Sequence, residues 1–317
     1  MAVSGTVPTE LGDKKIRDLL MQYAVPAIIA MTASSLYNMV DSIFIGHIKD
    51  VGSYAISGLA VTFPLMNIST ALGTLVGVGA STILSMLLGQ RNYQAANKVI
   101  INEVMLNVII GTLYTVITLV FLDPILMFFG ASANTLPYAR DYMVIILIGN
   151  VITHLYFGLN NIIRASGNPK LAMALTIFTV VSNTILDPIF IFWLDMGIKG
   201  AALATVICQL LALVYTVRYF LSGKNYLRLP RRMSEYRLDW RIAKDSLTVG
   251  MGPFLMNSAA CIVTMFINQQ LSKYGGDLAI GAYGIVNRFT FLFIMVNMGL
   301  NQGMQPIAGY NFGAREY

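Results

Sequence analysis

Apolar residues in this chain come in long blocks broken by brief polar punctuation. Eight blocks of roughly 20 residues or more can be placed, at about 20–46, 56–88, 97–122, 139–164, 170–194, 200–221, 245–272 and 278–312. Each is long enough to cross a hydrocarbon core about 30 Å thick as an α-helix, and the longer ones are expected to tilt or protrude. The period-two alternation that a barrel strand needs is absent. The pattern predicts an all-α polytopic membrane protein with about eight transmembrane helices.

Composition agrees, since 56% of the 317 residues are hydrophobic and only 11% are charged. The N-terminal segment carries Glu10, Asp13, Lys14, Lys15, Arg17 and Asp18, and the first apolar block is too long for a signal-peptide core, so it is expected to remain as span 1. Cys208 and Cys261 both fall inside spans, which predicts packing residues and no disulfide framework. The net charge of +6 is read as topology, not as a nucleic-acid footprint. With alternate loops on opposite sides, 16 of the 21 Lys and Arg fall on one side and four on the other, with Arg288 inside span 8. That bias puts the N-terminus and the 222–244 loop in the cytoplasm of a multi-pass cell-membrane protein.

Two stretches resemble each other. Gly79, Gly89, Arg91 and Tyr93 reappear 224 positions later as Gly303, Gly313, Arg315 and Tyr317, and Pro26 matches Pro253 at an offset of 227. A six-helix unit repeated in parallel is the expectation. It divides the chain into an N-terminal lobe at 1–221, a basic cytoplasmic linker at 222–244, and the first two helices of a second lobe at 245–317. On this reading the sequence is expected to be a fragment of a twelve-helix protein.

Inside this apolar material two acids stand out. Asp41 lies in "SSLYNMVDSIFIG" and Asp187 in "NTILDPIFIF", each six or seven residues from the same end of its span, so the two can share one layer. An Asp near the middle of a span costs roughly 2.5–3.5 kcal/mol on insertion scales and is tolerated where it faces a bundle interior or water. Tyr37 and Asn38 precede Asp41 by one helical turn and Asn183 precedes Asp187 by one, placing possible donors on the same faces. Pro188 leaves the carbonyl of Thr184 without its helical partner, and Thr205 can join the layer. In a low dielectric, two neighbouring carboxylates can hold a proton or a small cation near neutral pH. The plainer alternative makes Asp41 interhelical glue and Asp187 part of a proline kink.

Other features carry less. Glu103 is expected at the cytoplasmic end of span 3, His154 reads as a hydrogen-bonded packing residue, and Arg288 needs an acid or a cavity. The methionines that face a cavity would suit substrates of varied shape. Nucleotide-binding, hydrolase and metalloprotease motifs are absent, which argues against an enzyme. The contexts "YNMVD" and "ILDP" do not fit an intramembrane aspartyl protease, whose nearest match, "YGGD" at Tyr274–Asp277, is expected in a loop. A fixed channel suits a duplicated lobe less well than alternating access.

The blocks "PAIIAMTASSLYNMVDSIFIG", "RASGNP", "NTILDPIFIF" and "QPIAGYNFGA" resemble the multidrug and toxic compound extrusion (MATE) family of the prokaryotic type. The resemblance implies two six-helix lobes that alternate between outward-facing and inward-facing states, exporting organic cations and drugs in exchange for protons or sodium. It implies Asp41 as the coupling acid, Asn183, Asp187 and Thr205 as the rest of the polar cluster, Tyr37 and Asn160 as further members, and Pro26 as a bend in helix 1, beside the kink expected at Pro188. The expected partners are drugs and membrane lipids, with no nucleic acid and a monomeric full-length protein. No cofactor is expected beyond the coupling ion, and no metal beyond sodium at the Asp41 cluster. A lipid-linked saccharide flippase is the alternative, although the spans offer almost no cations for a pyrophosphate apart from Arg288.

Overall fold

The computed structural model describes residues 10–48, 52–222, 226–230 and 232–316, with the side chains of 52, 53 and 233 and some between 264 and 292 outside the description. Among the expectations above, Tyr317 and the side chains of Lys49, Lys224, Arg231, Lys273, Asp277 and Arg288 lie outside the described residues. The described chain is helical, and no strand occurs among the described residues. Its elements are α1 (Glu10–Asp13), α2 (Ile16–Gly46), α3 (Gly52–Gly89), α4 (Tyr93–Val120), α5 (Leu122–Phe128), α6 (Leu136–Ile148), α7 (Asn150–Ala165), α8 (Pro169–Pro188), α9 (Ile198–Leu221) and α10 (Trp240–Ala314). Six described helices are long and apolar enough to cross a membrane, and the pair α6–α7 makes a seventh if taken as one bent span. Helices keep every backbone donor and acceptor paired without water, the condition for crossing lipid.

The exterior is apolar in stripes. On α4, Ile109, Leu113, Val116, Ile117 and Val120 are exposed at helical spacing, and Phe178, Val181 and Ile185 do the same on α8. Inside, the two larger apolar cores form toward opposite ends of the bundle. One gathers Leu84, Ile100, Tyr156, Leu159 and Phe220, and the other Ile45, Leu65, Leu126, Met143 and Ile191.

The span expected at 139–164 is broken. α6 and α7 meet at 54°. Gly149 sits at the corner, where a methyl group would run into Val206 of α9, and the Leu147 carbonyl next to the break accepts from Thr115 Oγ1 at 3.1 Å. A side chain from α4 thus restores a bond that the bend removes.

The expected loop at 273–277 is also corrected, since those residues are helical within α10. α10 is nevertheless no straight rod. Ser246 abuts Gly79, while Gln305 Nε2 donates to the neighbouring Val78 carbonyl at 3.0 Å. A straight helix would separate Ser246 from Gln305 by about 90 Å, so the chain doubles back within α10.

Both limbs of α10 pack on α2 and α3 through glycines. A methyl on Gly79 would strike the Ser246 backbone, on Gly250 that of Leu75, on Gly303 those of Tyr23 and Ala24, on Gly89 that of Tyr310, and on Gly313 that of Met86. The contacts come in exchanged pairs. Gly89 meets Tyr310 while Gly313 meets Met86, each partner being displaced by 224 positions from the other. This is the self-complementary pattern of a two-fold contact.

The 222–244 stretch is pinned where it is described. Leu227 and Leu229 are buried, Arg228 N donates to Asn97 Oδ1 at 2.7 Å, and Asp239 N donates to Asn102 Oδ1 at 2.9 Å. Arg164, counted among the loop cations in the charge pattern, is buried. Its guanidinium donates to Asn161 Oδ1 at 3.1 Å, Asn160 Oδ1 at 3.4 Å and, across to α10, Gln302 Oε1 at 2.5 Å.

Gly79→Ala is expected to destabilise the protein by about 1–3 kcal/mol, because backbone would have to move away from backbone. Gly252→Ala, on the same helix as Gly250 but with open space around it, is expected to stabilise by roughly 0.5–1 kcal/mol. Thermal unfolding of both variants in one detergent measures the contrast.

Candidate functional site

The site is assembled from four helices. α2 supplies Tyr37 and Asp41, α8 supplies Asn183 and Asp187, α9 supplies Thr205, and α6 supplies Tyr142. Asp187 is fully buried, and Asp41, Asn183 and Tyr142 nearly so. The four-residue spacings of Tyr37 to Asp41 and of Asn183 to Asp187 put each pair on one helix face, and α2 and α8 pack with those faces together.

Asn183 organises the cluster. With its amide turned so that every neighbour is matched, Nδ2 donates to Asp187 Oδ2 at 3.0 Å and to the Tyr37 hydroxyl at 2.8 Å, while Oδ1 accepts from Thr205 N at 3.0 Å. The Tyr37 hydroxyl lies 3.1 Å from Thr205 Oγ1 and, having accepted from Asn183, is free to donate there. Asp187 lies within electrostatic reach of Asp41, and Tyr37 and Tyr142 lie within reach of both. No cation lies among these partners.

Asp41 is the odd member. Its Oδ1 is buried and has no hydrogen-bond partner among the described residues. An ionised carboxylate in that position carries an uncompensated desolvation penalty, which a bound proton or small cation removes. The acceptors of the cluster are all oxygens, so it suits a proton or a hard cation.

α8 ends at Pro188 and continues as a π-helical turn, Ile189–Trp193, of the kind often found at functional sites. Gly200 lets the start of α9 approach the Phe190 backbone, and Phe44 packs edge-to-face on Phe192 at 6.4 Å, closing the adjacent end of the α2–α8 seam. Pro26 is buried in α2, between the Ala24 and Ile28 backbones that pack on Gly303 and Gly299 of α10.

Two of the expected residues stand apart. Asn38 is exposed on a different face of α2. Asn160 bonds the Ala172 carbonyl at 3.0 Å and Arg164, within the Arg164 network. Tyr142 was missed, because nothing in "RDYMVIILIG" separates it from an interfacial tyrosine. The interfacial position expected for Glu103 is corrected, whereas His154 is the buried, hydrogen-bonded residue that was expected. Glu103 is fully buried beside Gly158, and His154 Nε2 lies 3.0 Å from Ser69 Oγ in a polar seam between α3, α4 and α7.

Fold and site together define a polytopic helical membrane protein with a pair of carboxylates sealed inside one helical bundle. Residues 26–189 and 253–317 match the MatE family, and the chain belongs to that family of multidrug and toxic compound extrusion proteins. It is 30% identical over 297 residues to multidrug export protein MepA of Staphylococcus aureus, and 32% identical over 300 residues to MepA of Staphylococcus haemolyticus. Those matches cover 94% and 95% of this chain and 65% of each relative, so the chain spans about two-thirds of their length. Among solved structures, the outward-facing conformation of a multidrug resistance MATE transporter of the MOP superfamily superposes with a TM-score of 0.90 at 25% identity, covering 98% of this chain and 68% of that one. A MATE crystal structure in complex with MaD3S gives 0.91 at the same identity, with 98% and 69% covered.

Asn183→Leu leaves the Asp187 carboxylate and the Tyr37 hydroxyl without their common donor and is expected to cost about 1–3 kcal/mol. In a double-mutant cycle with Tyr37→Phe the two losses are expected to be non-additive by about 1 kcal/mol, as read by thermal unfolding.

Proposed function

We propose that the protein is part of a cation-coupled antiporter that exports organic cations and drugs by alternating access. What carries the reading is the Asp41 carboxylate, buried beside Asp187 with an oxygen that has no partner and a cluster that has no cation among the described residues. Such a pair is costly when empty and ionised, and relieved when it takes up a proton or sodium ion. A state-dependent occupancy of this kind can bias a two-state helix arrangement.

Asp41 and Asp187 bind the ion, Asn183 and Thr205 complete the cluster, and Tyr37 ties α2 to α8 and α9. Two six-helix lobes carry the exchange, this chain contributing one lobe and the first two spans of the next. The glycine contacts of α10 on α2 and α3 support a lobe interface, because close backbone packing lets two rigid units rock without interlocking side chains. The full-length protein works as a monomer in the cell membrane with its N-terminus in the cytoplasm, needs no cofactor and catalyses no covalent chemistry. The MepA relatives are named as multidrug exporters, which supports drugs as substrates.

Efflux of a fluorescent organic cation from liposomes containing the full-length protein is expected to follow an imposed proton or sodium gradient. Asp41→Asn is expected to lower the gradient-driven rate at least tenfold while leaving dye binding measurable. An Asp41→Asn protein that pumps as fast as its parent would remove Asp41 from coupling. Binding of a lipid pyrophosphate in place of the dye would point to a flippase instead.

A further inference from the structure

A second polar seam lies between α3, α4 and α7, built from residues other than those of the Asp41 cluster. Glu103, Asn107 and Gly111 follow one another at four-residue spacing on one face of α4, and His154 and Gly158 do so on the facing side of α7. The faces interlock. A methyl on Gly158 would strike Glu103 Oε1 and come within 2.6 Å of Asn107 Nδ2, and one on Gly111 would lie 3.4 Å from His154 Nδ1. Glu103 and Asn107 are fully buried, and His154 is nearly so.

The hydrogen bonds in this seam leave only acceptors over. Asn107 Nδ2 donates to Glu103 Oε1 at 2.5 Å. Ser69 Oγ spends its single proton on Asn150 Oδ1 at 2.6 Å, so at 3.0 Å from His154 it must accept from Nε2–H, which makes His154 Nδ1 a bare lone pair. Glu103 Oε2, Asn107 Oδ1 and His154 Nδ1 are all buried without a hydrogen-bond partner among the described residues. No lysine, arginine or further acid acts on Glu103 among the described residues; α7 faces the seam with His154 as its titratable group, and α3 faces it with Ser69 and Gly73.

We propose that Glu103 is a second proton-binding acid of this lobe, holding its proton as a cyclic pair with the Asn107 amide. One added proton matches two of the three orphaned atoms. Oε2–H donates to Asn107 Oδ1 while Asn107 Nδ2–H donates to Oε1, closing a ring between two planar groups on successive turns of α4. Without that proton, a carboxylate oxygen and an amide oxygen stay buried with no donor for either. His154 Nδ1, at the level of Gly111, is the third orphaned acceptor of the seam. A metal ion fits less well, because hard cations collect several oxygens and the seam offers one free carboxylate oxygen, one amide oxygen and an imidazole nitrogen.

Infrared spectroscopy of the full-length protein in lipid tests this directly. In an Asp41→Asn/Asp187→Asn background, a carbonyl band of a protonated, slowly exchanging carboxyl group is expected to remain. Asn107→Leu, which removes the hydrogen bond to Oε1, is expected to shift that band to higher frequency, and Glu103→Gln, which can still pair with Asn107, to abolish it. The proposal is overturned if no such band remains in the background protein at any pH, if the band survives Glu103→Gln, or if it is indifferent to Asn107→Leu. Should Glu103→Gln fail to fold, the background spectrum and the Asn107→Leu shift still decide. These readouts do not depend on transport, so failure here leaves the Asp41 reading standing, and the converse.

Discussion

Everything in this structure answers to the absence of water around polar groups. In a soluble domain, a carboxylate or an amide left unmatched can turn to solvent. Within a bundle whose exterior carries apolar stripes such as those of α4 and α8, it must find a partner inside the protein or take one from solution. The backbone meets the demand by staying helical, and at the α6–α7 corner with help from Thr115. The side chains meet it by gathering into a few closed networks, around Asn183, around Arg164 and along the α4–α7 seam.

Those networks differ in what they leave over. The Arg164 guanidinium spreads its donors over three neutral amide oxygens and so fastens α7 to α10 without a carboxylate. At the Asn183 cluster the surplus is a single carboxylate oxygen of Asp41, and along the α4–α7 seam it is three acceptors with no donor. A surplus of acceptors is what a transporter driven by cations can use, because occupancy then changes the energy of one packing arrangement relative to another.

The mechanical counterpart is the glycine seam. Gly79, Gly89, Gly250, Gly303 and Gly313 allow α2, α3 and the two limbs of α10 to meet backbone to backbone, in pairs displaced by about 224 positions. Apolar side chains gain little from meeting one another in lipid, so small residues and close van der Waals contact provide the cohesion. Such an interface is smooth along its length, which suits two units that shift against each other. Pro26 lies between two of these contacts, where a change in α2 would be felt directly by α10.

Block length alone was enough to read a polytopic helical membrane protein, since lipid thickness sets a period that composition cannot disguise. The Asp41–Asp187 pair was legible for a related reason: an acid is conspicuous in an apolar run, and helical spacing names its neighbours Tyr37 and Asn183. Sequence could not tell which face of α2 Asn38 would occupy, or that Asn160 would turn toward Arg164, because spacing gives angles around one helix and not the identity of the helix opposite. Tyr142 and the Glu103 seam were hidden on the same ground. A residue's depth and partners depend on how helices cross, and the crossing is decided by glycines whose significance appears only when two backbones touch. The sequence by itself determined the helices, the membrane and the existence of acids within the spans; the tertiary structure decided which acceptors would be left without a hydrogen-bond partner, because only the crossing of helices brings a donor within reach.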